Sequence, residues 1–165
     1  RVLSLISKIL NPKNILEIGT YTGYSALCLS EGLQKSGRLH TIDINEELLE
    51  IQNKYFEASE YRKNIVQHIG DATKIIKDLD LKFDLVFIDG DHRKEQTLEY
   101  FKQILPKAHN DTIFIFDDIH WSNGMSEAWE AIKEMTEVTV TIDLFYMGLV
   151  FIRRQQAREH FVVRF

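Results

Sequence analysis

Residues 14–25 read Asn-Ile-Leu-Glu-Ile-Gly-Thr-Tyr-Thr-Gly-Tyr-Ser. The apolar run Ile15–Ile18 stops at a glycine, as a buried parallel strand does where it feeds a helix. Gly19 and Gly23 let the backbone turn sharply and pass close to a ligand. Tyr24 and Ser25 begin a helix whose free amides attract negative charge. Glu17 is the discordant residue for a dinucleotide site, because a carboxylate is a poor neighbour for a pyrophosphate and a good one for an ammonium group. The spacing GxxxG also lacks the three-glycine GxGxxG arrangement that allows close pyrophosphate approach. A nucleoside carrying an amino acid suits this turn better than a dinucleotide does.

Working outward, similar apolar runs recur at Leu39–Ile42, Ile65–Ile69, Leu85–Ile88 and Ile113–Phe116. Helical patterns separate them at Tyr24–Leu33, Glu46–Ser59, Ala72–Leu79 and Lys94–Leu105, the alternation of an open α/β sheet covered on both faces. Asn45 is placed to cap the second of these helices, and Pro106 ends the fourth by lacking the amide that would continue it. Trp129, Ile132 and Met135 share one helical face and read as core. Val138–Ile142 and Leu149–Ile152 are too close for a helical crossover, so they predict a hairpin and an antiparallel last strand. The whole of 1–165 reads as a single domain, with 153–165 an extension that turns apolar at Phe161, Val162, Val163 and Phe165. That extension packs either on its own domain or on a partner subunit, which leaves a homodimer open.

Composition narrows the function. The 165 residues are 44% hydrophobic, enough to enclose a core and leave a cleft. With 20 Lys and Arg against 25 Asp and Glu, the net charge is -5 and no basic patch stands out, which argues against a nucleic-acid partner. No apolar run is long enough to span a membrane, so no membrane partner is expected. The lone Cys28 makes no internal disulfide and fits a reducing cytoplasm.

Acidic residues gather at the carboxyl ends of the predicted strands, where this architecture puts ligands. Asp43 closes the second strand and is placed to accept hydrogen bonds from two ribose hydroxyls, a feature shared with nicotinamide sites. Asp71, after Gly70, either reaches an adenine amino group or caps the next helix. The fourth strand ends in VFIDGDH and the fifth in FIFDDIHW, so Asp89, Asp117 and Asp118 converge across the cleft. Three uncompensated carboxylates repel one another, and a hard dication such as Mg²⁺, Ca²⁺ or Mn²⁺ resolves that repulsion. The competing reading of these aspartates is as helix caps and turn residues.

On these residues the sequence resembles the class I S-adenosylmethionine (SAM)-dependent methyltransferases over nearly its whole length, and GTYTGYS resembles the same segment of catechol and caffeoyl-CoA type O-methyltransferases. The resemblance implies a Rossmann-like, seven-stranded, mostly parallel sheet with an antiparallel last strand. It implies that Glu17 and Gly19 lie under the methionine part of SAM, with Thr20, Tyr21 and Gly23 completing the turn and Ser25 meeting the carboxylate. Asp43 and Ile44 would flank the ribose, and Gly70, Asp71 and Ala72 the adenine. Asp89, Asp117 and Asp118 would hold a divalent cation, expected to be Mg²⁺, with Asp89 also at the cofactor. The IDGD string is similar to that of macrocin-type sugar O-methyltransferases.

One departure concerns the base. Catechol-type enzymes carry a lysine three positions beyond the first metal carboxylate, where this chain has His92. A histidine accepts a proton near neutral pH, so His92 is a competent base; Asp91 is its rival by the macrocin-type pattern. His120 and Trp121 are candidates for acceptor contacts or for ordinary loop positions. The expected activity is metal-assisted transfer of a methyl group from SAM to a hydroxyl of a small-molecule acceptor. The alternatives are a nicotinamide-dependent oxidoreductase and a noncatalytic interaction protein.

Overall fold

Alternating apolar runs and amphipathic segments become six helices and eight strands in the computed structural model, which describes residues 1–164; Phe165, counted above in the apolar extension, lies outside them. In chain order they are α1 (Val2–Leu10), β1 (Asn14–Ile18), α2 (Tyr24–Ser30), β2 (Arg38–Asp43), α3 (Leu49–Glu57), β3 (Ile65–Ile69) and α4 (Ala72–Asp78). There follow β4 (Phe83–Ile88), α5 (Lys94–Ile104), β5 (Ala108–Asp117), α6 (Asn123–Lys133), β6 (Val140–Asp143), β7 (Met147–Phe151) and β8 (Glu159–Val162).

The sheet order is β3-β2-β1-β4-β5-β7-β6-β8. β1 to β5 pair in parallel, and β7 runs antiparallel to both β5 and β6, as the short connection between β6 and β7 requires. The chain order reverses between β1 and β4, which opens a crevice at their carboxyl ends. The eighth strand goes beyond the expected seven. Residues 159–162 of the extension pair in parallel with β6, from Val140↔Glu159 to Asp143↔Val162, and are exposed along their length.

Side chains alternate across the sheet and build two cores. Leu16, Ile18, Ile42, Val86, Phe114 and Phe116 face α4, α5 and α6, where Ile76, Phe101 and Trp129 meet them. Ile15, Leu39, Ile65, Leu85, Phe87 and Ile115 face α2 and α3, with Leu3, Ile6 and Leu10 of α1 at the margin. Each fully buried large side chain contributes roughly 1.5–3 kcal/mol relative to exposure, so the frame under the crevice is rigid. Gly148 in β7 is required by this packing, since a Cβ there would sit 2.5 Å from the Trp129 ring.

Boundaries shift for identifiable reasons. The Asn45 side chain accepts a hydrogen bond from Glu47 N–H at 3.0 Å, as expected of a cap, but the turn it starts is 3₁₀ before α3 takes over at Leu49. Pro106 lies in a 3₁₀ turn, Leu105–Lys107, that ends α5. β5 starts five residues before the apolar run at Ile113, because Ala108 pairs with Phe83 ahead of a register shift.

Candidate active site

The turn after β1 is locked from both sides. Gly19 has φ +96°, and a Cβ on it would lie 2.2 Å from the Asp89 carbonyl oxygen, so no other residue lets β1 and β4 end this close together. Gly23 has φ +87°, with the Phe56 ring 2.5 Å from where a Cβ would be. Tyr21, between them, also takes a positive φ of 46°. Its N–H donates to Asp43 Oδ2 at 2.7 Å, while Asn45 N–H donates to Asp43 Oδ1 at 2.9 Å. Asp43 thus fastens the first turn to the second while each oxygen keeps a further lone pair.

Beneath this turn Glu17 is fully buried at 0% exposure. Its Oε2 accepts from Thr41 Oγ1 at 2.5 Å, and Thr41 is linked in turn to Thr20 Oγ1 at 2.5 Å. Its Oε1 has no partner among the described residues. Burial pushes the Glu17 carboxyl up to about 7, against the pull of the Thr41 hydrogen bond and the nearby Ser25 hydroxyl and with a further push from Asp43. A buried acceptor atom without a donor is costly by itself, and a cationic donor would satisfy it.

On one side of the turn a cavity of about 480 Å³ is lined by Gly19, Asp43, Ile44, Gly70, Asp71 and Ala72, gathering the residues expected around a nucleoside. The Asp71 side chain itself caps α4, accepting from Thr73 N–H at 2.9 Å and Thr73 Oγ1 at 2.6 Å. Gly90, Asp91, Arg93, Gln96 and Tyr100 complete the wall. Arg93, Gln96 and Tyr100 were not singled out from sequence; the only signal was that the first turns of α5 follow the β4 end. Asp91, with a positive φ of 52°, is gripped by Arg93, whose Nε donates to Oδ1 at 2.6 Å and whose Nη2 donates to Oδ2. The Arg93 hydrogen bond holds the Asp91 carboxyl below its ordinary range.

On the other side a cavity of about 260 Å³ is lined by Thr20, Tyr21, Tyr24, Ser25, Asp89 and Asp117, among others. Burial raises Asp89 to about 8, and the neighbouring charges of Asp117, Glu17 and Asp118 add to it. Asp117 is also raised, by burial and then by Asp118. His92 Nε2 stands 3.8 Å from Asp89 Oδ1. Asp118 adds its charge to both and also borders a further cavity. Its φ is 51°, its N–H donates to the Tyr146 carbonyl at 2.7 Å, and it lines a third cavity of about 120 Å³ with His120, Trp121, Phe145 and Tyr146. Among the described residues no three His, Cys, Asp or Glu side chains lie at metal-holding spacing. The pair Asp89 and Asp117 still has the donor chemistry of a hard cation site: two crowded, partly buried carboxyl groups, one of which retains a proton to unusually high pH.

Comparison with known proteins agrees with this geometry. A family model described as O-methyltransferase matches residues 1–148. The caffeoyl-CoA O-methyltransferase of Pinus taeda is 30% identical over 129 residues, covering 74% of this chain and 49% of that protein. The catechol O-methyltransferase of Niastella koreensis is 29% identical over 123 residues, covering 72% of this chain and 55% of the other. The chain spans about half the length of the curated relatives it matches. Among solved structures, the O-methyltransferase from Bacillus cereus in complex with SAH aligns with a TM-score of 0.78 at 25% identity, over 91% of this chain and 79% of that one. The O-methyltransferase TomG from Streptomyces achromogenes, in complex with SAM, shares the fold with a TM-score of 0.80 at 24% identity, over 92% and 78%.

Proposed function

The chain belongs to the O-methyltransferase family, and on that premise we propose that it transfers the methyl group of SAM to a hydroxyl oxygen of a small molecule. The observation that carries the reading is Glu17: a fully buried carboxyl group under a glycine turn, with Oε1 lacking a donor, in the strand whose end, Ile18 and Gly19, borders the nucleoside-sized cavity. The α-ammonium group of SAM supplies that donor, and the nucleoside end occupies the cavity beyond Gly19. There Asp43 accepts from the ribose hydroxyls and the Gly70–Ala72 segment borders the base.

The sulfonium then faces the cavity holding Asp89 and Asp117, which we assign to the acceptor. These two residues would hold a divalent cation, with Asp118 one peptide beyond. When bound, such a cation supplies Lewis-acid polarisation of the acceptor oxygen. His92, next to Asp89, accepts the hydroxyl proton at its imidazole as the oxygen attacks the methyl carbon. Asp91, in its ion pair with Arg93, forms a wall of the nucleoside cavity and serves the reaction less well as a base. The rest is alignment: the rigid ends of β1 and β4 fix the methyl group in line with the incoming oxygen.

Incubation with methyl-labelled SAM and a set of phenolic, catecholic and sugar hydroxyl acceptors tests the reading. Label is expected in an ether product, reduced by chelator and by Asp89→Ala. Turnover indifferent to both would remove the cation from the mechanism, and label in no acceptor would refute hydroxyl methylation.

A further inference from the structure

Asp143, the last residue of β6, is buried and hydrogen-bonded from three directions. His120 Nε2 donates to Oδ2 at 2.7 Å, Phe145 N–H to Oδ1 at 2.7 Å, and Arg164 Nη1 to Oδ1 at 3.1 Å. Arg164 Nη1 also reaches the Asp143 carbonyl oxygen at 3.0 Å, and its guanidinium lies 5.5 Å over the Phe145 ring. The segment after β8 therefore reaches back to the mouth of the sheet. A carboxylate only accepts, so the nitrogen facing Asp143 carries hydrogen, and in the neutral imidazole the lone pair sits on Nδ1. That nitrogen has no partner among the described residues, and His120 lines the third cavity with Asp118, Trp121, Phe145 and Tyr146.

We propose that His120 is a binding residue for the part of the acceptor that extends from the Asp89–Asp117 cavity past Asp118, receiving at Nδ1 a hydrogen bond from a hydroxyl or N–H of that molecule, and that Asp143 and Arg164 are positioning residues that fix its tautomer and orientation. This rests on the methyl-transfer reading. A pair that only tied the loop after β5 to the β6–β7 hairpin would be served by the Nε2 bond alone and would be indifferent to what stands at Nδ1. The aromatic side chains around His120 give the acceptor flat apolar walls, and Nδ1 gives it one directional contact.

Ligand-observed NMR on SAH-saturated protein, with phenol, catechol and glucose as probes, separates these roles. His120→Gln keeps an amide able to reach Asp143 but has no acceptor at the Nδ1 position; His120→Asn puts an oxygen there. Probe affinity is expected to fall about tenfold in His120→Gln, the loss of one hydrogen bond, and to recover in His120→Asn. Arg164→Ala is expected to weaken the probe and Arg164→Lys to restore part of it, with SAH affinity unchanged throughout. Where the imidazole is neutral, a long-range ¹H–¹⁵N spectrum is expected to show the proton on Nε2 in the wild type and a tautomer mixture in Asp143→Ala. Equal probe affinity in wild type and His120→Gln, or no probe bound by SAH-saturated protein, overturns the proposal while leaving methyl transfer intact. Failure to bind SAH overturns the methyl-transfer reading, and this one falls with it.

Discussion

Glu17→Gln removes a buried ionisable group without changing its shape, and the structure sets the size and sign of the effect. The folded carboxyl is raised to about 7 from an ordinary value of 4.5, chiefly by burial. Between those values the folded chain binds more protons than the unfolded chain, so wild-type stability falls as pH rises through that window. At about 1.4 kcal/mol per pKa unit the loss approaches about 3 kcal/mol once pH exceeds the folded value. The glutamine variant stays neutral and escapes this loss. Urea unfolding followed by the fluorescence of buried Trp129 is expected to give similar stabilities for the two proteins near the unfolded pKa. Above pH 8 the variant is expected to be more stable by up to about 3 kcal/mol. The same change deletes the ammonium partner, so SAH affinity is expected to drop by about tenfold or more. In the wild type, SAH affinity is expected to rise with pH up to the Glu17 pKa and then level off, because binding the ammonium group requires the carboxylate. A wild-type stability with no pH dependence relative to the variant, or a variant that binds SAH as well as the wild type, refutes the reasoning.

Three further substitutions bear on separate parts of the account. Gly19→Ala forces a methyl group to within 2.2 Å of the Asp89 carbonyl at φ +96°, which costs at least ~1–3 kcal/mol of backbone strain; loss of SAH binding and a lower urea midpoint are expected. Gly148→Ala pushes on Trp129 far from the turn, so calorimetry is expected to show a reduced melting temperature with SAH affinity retained. Asp117→Asn removes the strongest neighbouring charge on Asp89, and a ¹³C carboxyl titration is expected to place the Asp89 pKa below that of the wild type; no change would mean that Asp117 does not contribute to raising it.

The parts of the fold readable from sequence are those whose causes are local. Leu85–Ile88 is buried on both faces and so is a continuous apolar run, and the turn at Gly19 and Gly23 announces itself because only glycine fits there. The strand-end aspartates were equally legible, and Asp43 and Asp89 stand where the turns put them. What sequence did not reveal depends on contacts across the chain. β8 is an edge strand paired on one side only, so its residues 159–162 carry no burial pattern to read. Asp118 adjoins Asp117 in sequence but lines a different cavity, because its N–H is drawn to the Tyr146 carbonyl and its backbone takes a positive φ. Asp91 reads in sequence as a base candidate, and its ion pair with Arg93 is visible only once β4 and α5 are placed. Asp143 offered no signal beyond a turn residue, since its partners His120 and Arg164 lie 23 and 21 positions away.

The claim that most needs testing is that the turn from Glu17 to Ser25 holds the methyl donor, and calorimetric titration of the wild-type protein with SAH and, separately, NADH tests it most directly. Saturable binding of one SAH per chain, with no heat from NADH, is the expected result. Tight NADH binding with no response to SAH would contradict the account.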